Sequence, residues 1–219
     1  MKRELVITED GSHTIYVPEL KEHDHSIHGA VRESTLVFIK NGLEFCQDDP
    51  VLIFEAGFGT GLNALLACIQ GNLHRRKIIY TSVEKYPLGK QITGSLNYNL
   101  FTEAESSDLL GRIHNASWGT YEAISEYFTL RKLESDLVTE DPDGQYNLIF
   151  FDAFGPDKQP VMWTNDIFGK ISRITLPGGI FVTYSSKGDV KRALKSNGFT
   201  VELLPGPPGK REMIRAIKL

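Results

Sequence analysis

One stretch constrains this chain more than any other: Val51-Leu52-Ile53-Phe54-Glu55-Ala56-Gly57-Phe58-Gly59-Thr60-Gly61, running straight into Leu62-Asn63-Ala64-Leu65-Leu66-Ala67-Cys68-Ile69. The short apolar run suits a strand buried on both faces. Glycines at alternate positions let the backbone turn tightly and lie against a ligand, since no Cβ stands in the way. The residues beyond them read as a helix ending near Gly71-Asn72. A buried strand, a glycine loop and a helix in that order open a β-α-β unit, and such units build parallel sheets.

The chain downstream repeats the alternation. Residues 78–84 are expected as a second strand, with a helix starting near Pro87, a residue suited to a first helical turn. A helix is expected over 109–127, a third strand over 128–133 and a turn at 140–144. Tyr146-Asn147-Leu148-Ile149-Phe150-Phe151-Asp152 is a strongly apolar fourth strand, followed by a Pro-containing loop to Trp163 and a helix over 165–175. Leu176-Pro177-Gly178-Gly179 reads as a turn into a strand over 180–184, then a helix over 187–197 stopped by Gly198. The last two strands, 199–204 and 213–217, are joined by a short loop and must therefore be antiparallel. The expected fold class is α/β: a Rossmann-like, mostly parallel, seven-stranded sheet with an antiparallel edge strand and a small N-terminal extension.

Residues 1–45 form that extension, a cap on a domain of residues 46–219. Leu5-Val6-Ile7-Thr8 and Thr14-Ile15-Tyr16-Val17 flank Glu9-Asp10-Gly11-Ser12 and suggest a hairpin. A polar stretch with His23, His25 and His28 follows, then a helical pattern through Glu33 and Ile39 that stops near Asn41-Gly42. These histidines lack partners fixed on a strand or helix, so no metal site is expected.

Composition excludes several classes. No apolar run approaches the roughly 20 residues of a membrane span, and the N-terminus has no long apolar signal region, so cytoplasm is expected. Cys46 and Cys68 make no disulfide framework. A net charge of −4 argues against a long non-specific nucleic-acid groove but leaves room for a local basic patch.

The loop narrows the ligand. The dinucleotide fingerprint G-x-G-x-x-G aims a helix N-terminus at a pyrophosphate, and here the third glycine comes one position early. Glu55 disfavours a polyphosphate and suits the cationic methionine end of S-adenosylmethionine. Glu84 ends the next strand, 23 positions beyond Gly61, near the spacing at which a carboxylate accepts hydrogen bonds from ribose hydroxyls. Asp136, beyond the third strand, suits the adenine amino group. Asp152 ends the fourth strand, where open α/β sheets bind substrates, and Phe154 beside it can line a planar base. A strand-ordered Rossmann sheet with these acids is the architecture of class I methyltransferases; an NAD-binding oxidoreductase is the alternative of a different class.

With these residues in view the chain resembles the methyltransferase domain of the bifunctional bacterial enzymes that finish 5-methylaminomethyl-2-thiouridine at the tRNA wobble position. The resemblance rests on His28-Gly29-Ala30-Val31-Arg32-Glu33-Ser34, Phe54-Glu55-Ala56-Gly57-Phe58-Gly59-Thr60-Gly61-Leu62-Asn63, Ser82-Val83-Glu84-Lys85-Tyr86-Pro87-Leu88, Phe151-Asp152-Ala153-Phe154-Gly155-Pro156-Asp157-Lys158-Gln159-Pro160-Val161-Met162-Trp163, Pro177-Gly178-Gly179 and Gly209-Lys210-Arg211-Glu212-Met213. It implies methylation of the primary amine of 5-aminomethyl-2-thiouridine in tRNA, with S-adenosylmethionine held by Glu55, Gly57, Gly59, Gly61, Asn63, Glu84, Asp136 and Asp152. Under it Asp152 orients the amine and takes its proton, Phe154 and Trp163 stack on the uridine, and Lys210 and Arg211 hold phosphates. A second, FAD-dependent domain found in those enzymes has no counterpart here, so a stand-alone form supplied with its amine by a separate enzyme is expected. Another nucleoside or a small-molecule amine is the alternative substrate.

Overall fold

The computed structural model describes residues 2–101 and 108–219. Met1, the first residue of the expected cap, lies outside them.

The N-terminal segment is a three-stranded antiparallel sheet, β1 (Glu4–Ile7), β2 (His13–Val17) and β3 (Glu22–His23), in that order. The expected hairpin is there because Asp10 closes its turn: the carboxylate accepts from the Ser12 N–H at 3.0 Å and the Thr8 hydroxyl at 2.8 Å. The third strand arises from the polar His23 stretch, where no apolar pattern announces it. Helix α1 (Ala30–Ser34) continues as a wide π-helical stretch over Thr35–Leu43, burying Val37, Phe38, Ile39 and Leu43.

The central sheet holds β4 (Val51–Ala56), β5 (Ile78–Glu84), β6 (Tyr121–Ala123), β7 (Phe128–Glu134), β8 (Tyr146–Phe151), β9 (Thr175–Thr183), β10 (Phe199–Pro205) and β11 (Glu212–Lys218). Their order is β10-β11-β9-β8-β4-β5-β7-β6. Strands β9, β8, β4, β5 and β7 are mutually parallel. Helices α2 (Leu62–His74), α3 (Lys90–Thr93), α4 (Leu109–Asn115), α5 (Asn165–Ile174) and α6 (Gly188–Ser196) make the connections.

The sheet separates two apolar cores, and period-two alternation assigns side chains between them. Ile53, Leu148, Phe150, Ile180 and Val182 face α2 and the 35–43 helix. Phe54, Ile149, Phe151 and Phe181 face α5 and α6. Every residue of β8 is buried, as its unbroken apolar run requires.

Four expectations are corrected. Among the described residues the sheet has eight strands, not seven. Its antiparallel C-terminal strand is not at the edge: β11 slots between β9 and β10, antiparallel to both. The helix expected to reach Tyr127 stops at Asn115, because Ala116 is extended and Gly119 takes a φ of 88°. The residues beyond form β6, antiparallel to β7 at the opposite edge. The turn expected at Pro177-Gly178-Gly179 lies within β9, where its pairing with β8 shifts register between Tyr146 and Leu148.

Candidate active site

The chain leaves β4 towards β5 on one side, while β8, on the other side of β4, leads away towards β9. The crevice at the carboxyl ends of β4 and β8 is thus a topological switch point, where open parallel sheets bind ligands. Two backbone bonds fix its floor, Asp152 N–H to Ala56 O at 3.0 Å and Gly57 N–H to Val83 O at 3.0 Å. Gly57 has a φ of 96°, and a Cβ there would stand 2.6 Å from the Asp152 carbonyl oxygen. Only glycine lets the two loops pass so closely. Gly61 donates to Phe58 O at 2.8 Å and opens α2, whose first turn no side chain caps.

A cleft of about 1050 Å³, including its open mouth, extends from here across the glycine loop, residues 84–86, residues 135–137 and residues 152–154. Glu84 accepts from the Gly59 N–H at 3.1 Å and the Tyr86 N–H at 2.8 Å, one on each oxygen. Asp136 accepts from the Val138 N–H at 3.0 Å and pairs with Lys85 at 2.7 Å, which holds its carboxyl below the usual range. Thus Gly57, Gly59, Glu84, Asp136, Asp152 and Phe154 all line this cleft.

Glu55 does not line the cleft. It is 1% exposed beneath the loop, and burial pushes its carboxyl up to about 8. Ser82 donates its hydroxyl to Glu55 at 2.7 Å. The Asn63 amide bridges the two acids, donating to Glu55 at 3.0 Å and to Asp152 at 2.8 Å. The Asp152 side chain is 7% exposed, and burial raises its proton affinity well above the usual carboxylate value. Glu33, and Glu55 when ionised, push the same way, while Asn63 and Lys210 oppose them.

Several cleft residues escaped the sequence reading because they arrive from the N-terminal sheet. Arg3, Leu20, Asp24 and His25 all line the cleft. Arg3 donates to the Tyr86 carbonyl. Burial pushes the Asp24 carboxyl up to about 7, against the pull of Arg3. His25 places Nδ1 3.9 Å from Asp152 and Nε2 3.0 Å from the Thr60 hydroxyl. Burial lowers the imidazole to about 4, so His25 is neutral near pH 7 and its contact with Asp152 is not an ion pair. The paired His-Asp-His positions were visible in sequence, but only the hairpin brings them over the glycine loop. Among the described residues no group of His, Cys, Asp and Glu is arranged to hold a metal ion.

The remaining predicted residues lie apart. Trp163 packs in the core against Phe151 and Phe168 rather than on the cleft wall; its indole donates to the Phe154 carbonyl at 2.7 Å. The Lys210 ammonium turns inward, paired with the buried Glu33 and 4.1 Å from the Tyr184 ring centroid. Arg211 is exposed in the loop between β10 and β11.

Residues 119–219 match a family of S-adenosyl-L-methionine-dependent methyltransferases. Over 185 residues the chain is 35% identical to the tRNA 5-methylaminomethyl-2-thiouridine biosynthesis bifunctional protein MnmC of Pseudomonas syringae pv. tomato, covering 75% of this chain and 26% of that protein. MnmC of Campylobacter hominis is 31% identical over 170 residues, covering 76% of this chain and 25% of its own length. The chain thus spans about a quarter of the length of these curated relatives. Among solved structures, MnmC2 from Aquifex aeolicus matches with a TM-score of 0.80 and 28% identity, over 98% of this chain and 69% of that one. Spermidine synthase from Thermotoga maritima, at a TM-score of 0.56 and 8% identity over 100% of this chain and 72% of that one, shares the fold alone. A glycine-floored switch-point cleft lined by Glu84, Asp136 and Asp152 thus lies in a chain whose residues 119–219 match S-adenosyl-L-methionine-dependent methyltransferases and which over three quarters of its length is similar to part of MnmC.

Proposed function

We propose that this chain methylates the primary amine of 5-aminomethyl-2-thiouridine at the tRNA wobble position, giving 5-methylaminomethyl-2-thiouridine. The observation that carries the reading is Asp152: a carboxyl group 7% exposed, at the switch point, fixed by the Asn63 amide at 2.8 Å. The names of the MnmC relatives point to the same chemistry. On this reading residues 1–45 cap the site, residues 46–219 carry out the transfer, and the chain works in the cytoplasm on tRNA.

The residues present fit the cofactor. A Cβ at Gly57 would fill the cradle between the two loops, so the position is kept bare. A carboxylate offers about four acceptor directions, and Glu84 uses one on each oxygen for a backbone N–H, leaving others for ribose hydroxyls. Asp136 stands on the adenine side, and Glu55, through Asn63, supports the methionine side from beneath. When bound, S-adenosylmethionine supplies a methyl group already activated on sulfonium sulfur.

The protein then has to present an unprotonated amine in line. Asp152 accepts an N–H of the amine, aims the nitrogen lone pair and receives the proton released by transfer. Phe154 at the cleft wall stacks on the uracil ring, and Trp163 steadies it through its bond to the Phe154 carbonyl. Arg211 contacts a backbone phosphate from the exposed loop. The amine itself must come from a separate enzyme that leaves a free aminomethyl group on C5.

The test is incubation with S-adenosylmethionine and tRNA carrying 5-aminomethyl-2-thiouridine, followed by nucleoside mass spectrometry. The expected result is a gain of one methyl group on that nucleoside, reduced by about 10²–10⁴ in Asp152→Ala. No gain from a protein shown to bind the cofactor overturns the substrate.

A further inference from the structure

The Glu33–Lys210 pair has no role in the chemistry described so far. Glu33, on α1, has a side chain only 5% exposed, and Lys210, from the loop between β10 and β11, one 31% exposed. Neither lies on the cleft wall. A buried ion pair is a poor stabilising device, because removing two charges from water costs about as much as their attraction returns. Its position suggests another use.

The pair reaches the neighbours of Asp152 along two routes. On one side Glu33 accepts from the Ser26 N–H at 2.7 Å, and the preceding residue, His25, stands 3.9 Å from the Asp152 carboxyl. On the other, the Lys210 ammonium sits 4.1 Å from the Tyr184 ring centroid, and the Tyr184 hydroxyl donates to the carbonyl of Ala153 at 2.7 Å. The other groups facing Asp152 are Glu55 and Asn63 from the strand and helix beneath, Tyr80 from β5, and the buried Tyr98, whose phenol burial keeps neutral. Glu55 and Tyr80 are buried and held neutral near pH 7, and His25 is neutral too. Among the described residues, Glu33 and Lys210 are therefore the charges left to act on Asp152.

We propose that Glu33 and Lys210 are a positioning pair that sets the protonation of Asp152, Lys210 favouring the carboxylate and Glu33 favouring the acid. The inference rests on the role given to Asp152 above. It makes Lys210 an inward-acting residue, where the sequence suggested a phosphate contact. The two charges act with opposite sign, and paired they leave the carboxylate close to the balance that a proton acceptor for an amine needs. The buried setting magnifies both effects, since charges there are poorly screened.

The experiment compares pH–kcat profiles, at saturating cofactor and tRNA, of the wild type, Lys210→Met, Glu33→Gln, the double variant and Lys210→Arg. Removing the cation should move the acidic limb up by about one pH unit, and removing the anion should move it down by a similar amount. The double variant and Lys210→Arg should return it close to the wild-type position. The titration of the amine is common to all five proteins, so it cannot produce opposite shifts. A lowered plateau with an unmoved limb, or a shift in the same direction for both single variants, overturns the proposal. The 13C shift of the Asp152 carboxyl, assigned against Asp152→Asn and titrated in the same proteins, should show the same order without tRNA. That readout keeps the two inferences separate: opposite shifts in 13C with no tRNA methylation sink the substrate and keep the pair, whereas methylation with unmoved titrations sinks the pair alone. Should Lys210→Met fail to fold, Lys210→Gln removes the same charge while keeping a polar side chain, and the same limb decides.

Discussion

Asn63 directs both of its amide hydrogens at carboxyl groups, Glu55 at 3.0 Å and Asp152 at 2.8 Å, so one side chain aligns the floor of the cofactor cradle with the acid above it. Asn63→Ala leaves two buried acceptors short of a donor, which costs about 1–3 kcal/mol of stability. It also frees Asp152 to rotate. Urea denaturation should show that loss, and kcat should fall by at least tenfold with a smaller change in cofactor affinity; an unchanged kcat would remove Asn63 from the alignment of Asp152. Residues of this kind were readable in sequence when they sit at the end of a strand. Glu84, Asp136 and Asp152 follow β5, β7 and β8, and parallel strands deliver their ends to one edge. Trp163 shows the limit: a motif gives a residue type at a position, but the side chain turned into the core against Phe151, with ring centroids 5.0 Å apart. Glu33, Tyr184 and Asp24 were not readable as site residues, because nothing in local spacing says that a hairpin and a distant loop will meet over the glycines.

At the scale of elements, the segment after α4 shows why the expected helix overran. Apolar residues between Leu109 and Tyr127 can be fitted to a helical period, yet the backbone turns away at Ala116 and forms β6. What ends α4 comes from another element: Lys132 of β7, 1% exposed, donates its ammonium to Ile113 O at 2.8 Å and His114 O at 2.9 Å. Single-sequence periodicity cannot see a cap supplied from 18 residues downstream. The ammonium also faces the rings of Phe58 and Trp118, at 5.4 and 5.0 Å from their centroids, and burial lowers it to about 8. Because His114 in turn contacts Thr60 O at 3.0 Å, this cap supports the glycine loop from outside. Lys132→Met keeps the volume and orphans the two carbonyls, a loss of about 1–3 kcal/mol. Calorimetry should find a lower Tm together with a weaker cofactor Kd. A lower Tm with unchanged affinity would confine Lys132 to α4.

At the scale of the whole molecule, the glycine loop is the place where distant parts of the fold are tied together. The Thr60 hydroxyl takes His25 Nε2 at 3.0 Å from the N-terminal sheet and the Tyr98 hydroxyl at 3.0 Å, while the Thr60 carbonyl takes His114 Nε2 at 3.0 Å from α4. Both imidazoles are lowered by burial from 6.5 to about 4. An unfolded chain binds protons on these rings below about pH 6.5, and the folded chain resists doing so until about pH 4. Their contribution to stability is therefore complete above pH 6.5 and is lost as the pH falls through 4, by up to about 3 kcal/mol for each ring. Since both rings hold Thr60, protonation should loosen the cofactor cradle along with the fold. The raised carboxyls of Asp24, Glu55 and Asp152 act in the opposite sense, adding stability as the pH falls, so the histidine contribution is read from the difference between wild type and variant. The double variant His25→Asn, His114→Gln should be less stable at pH 7, and relative to it the wild type should lose both stability and cofactor affinity as the pH falls from 6.5 to 4. Denaturant titrations at half-unit intervals, paired with cofactor binding at each pH, would decide the matter. A double variant with the wild-type pH dependence of both stability and cofactor affinity would show that protonation of these two rings is not what loosens the loop.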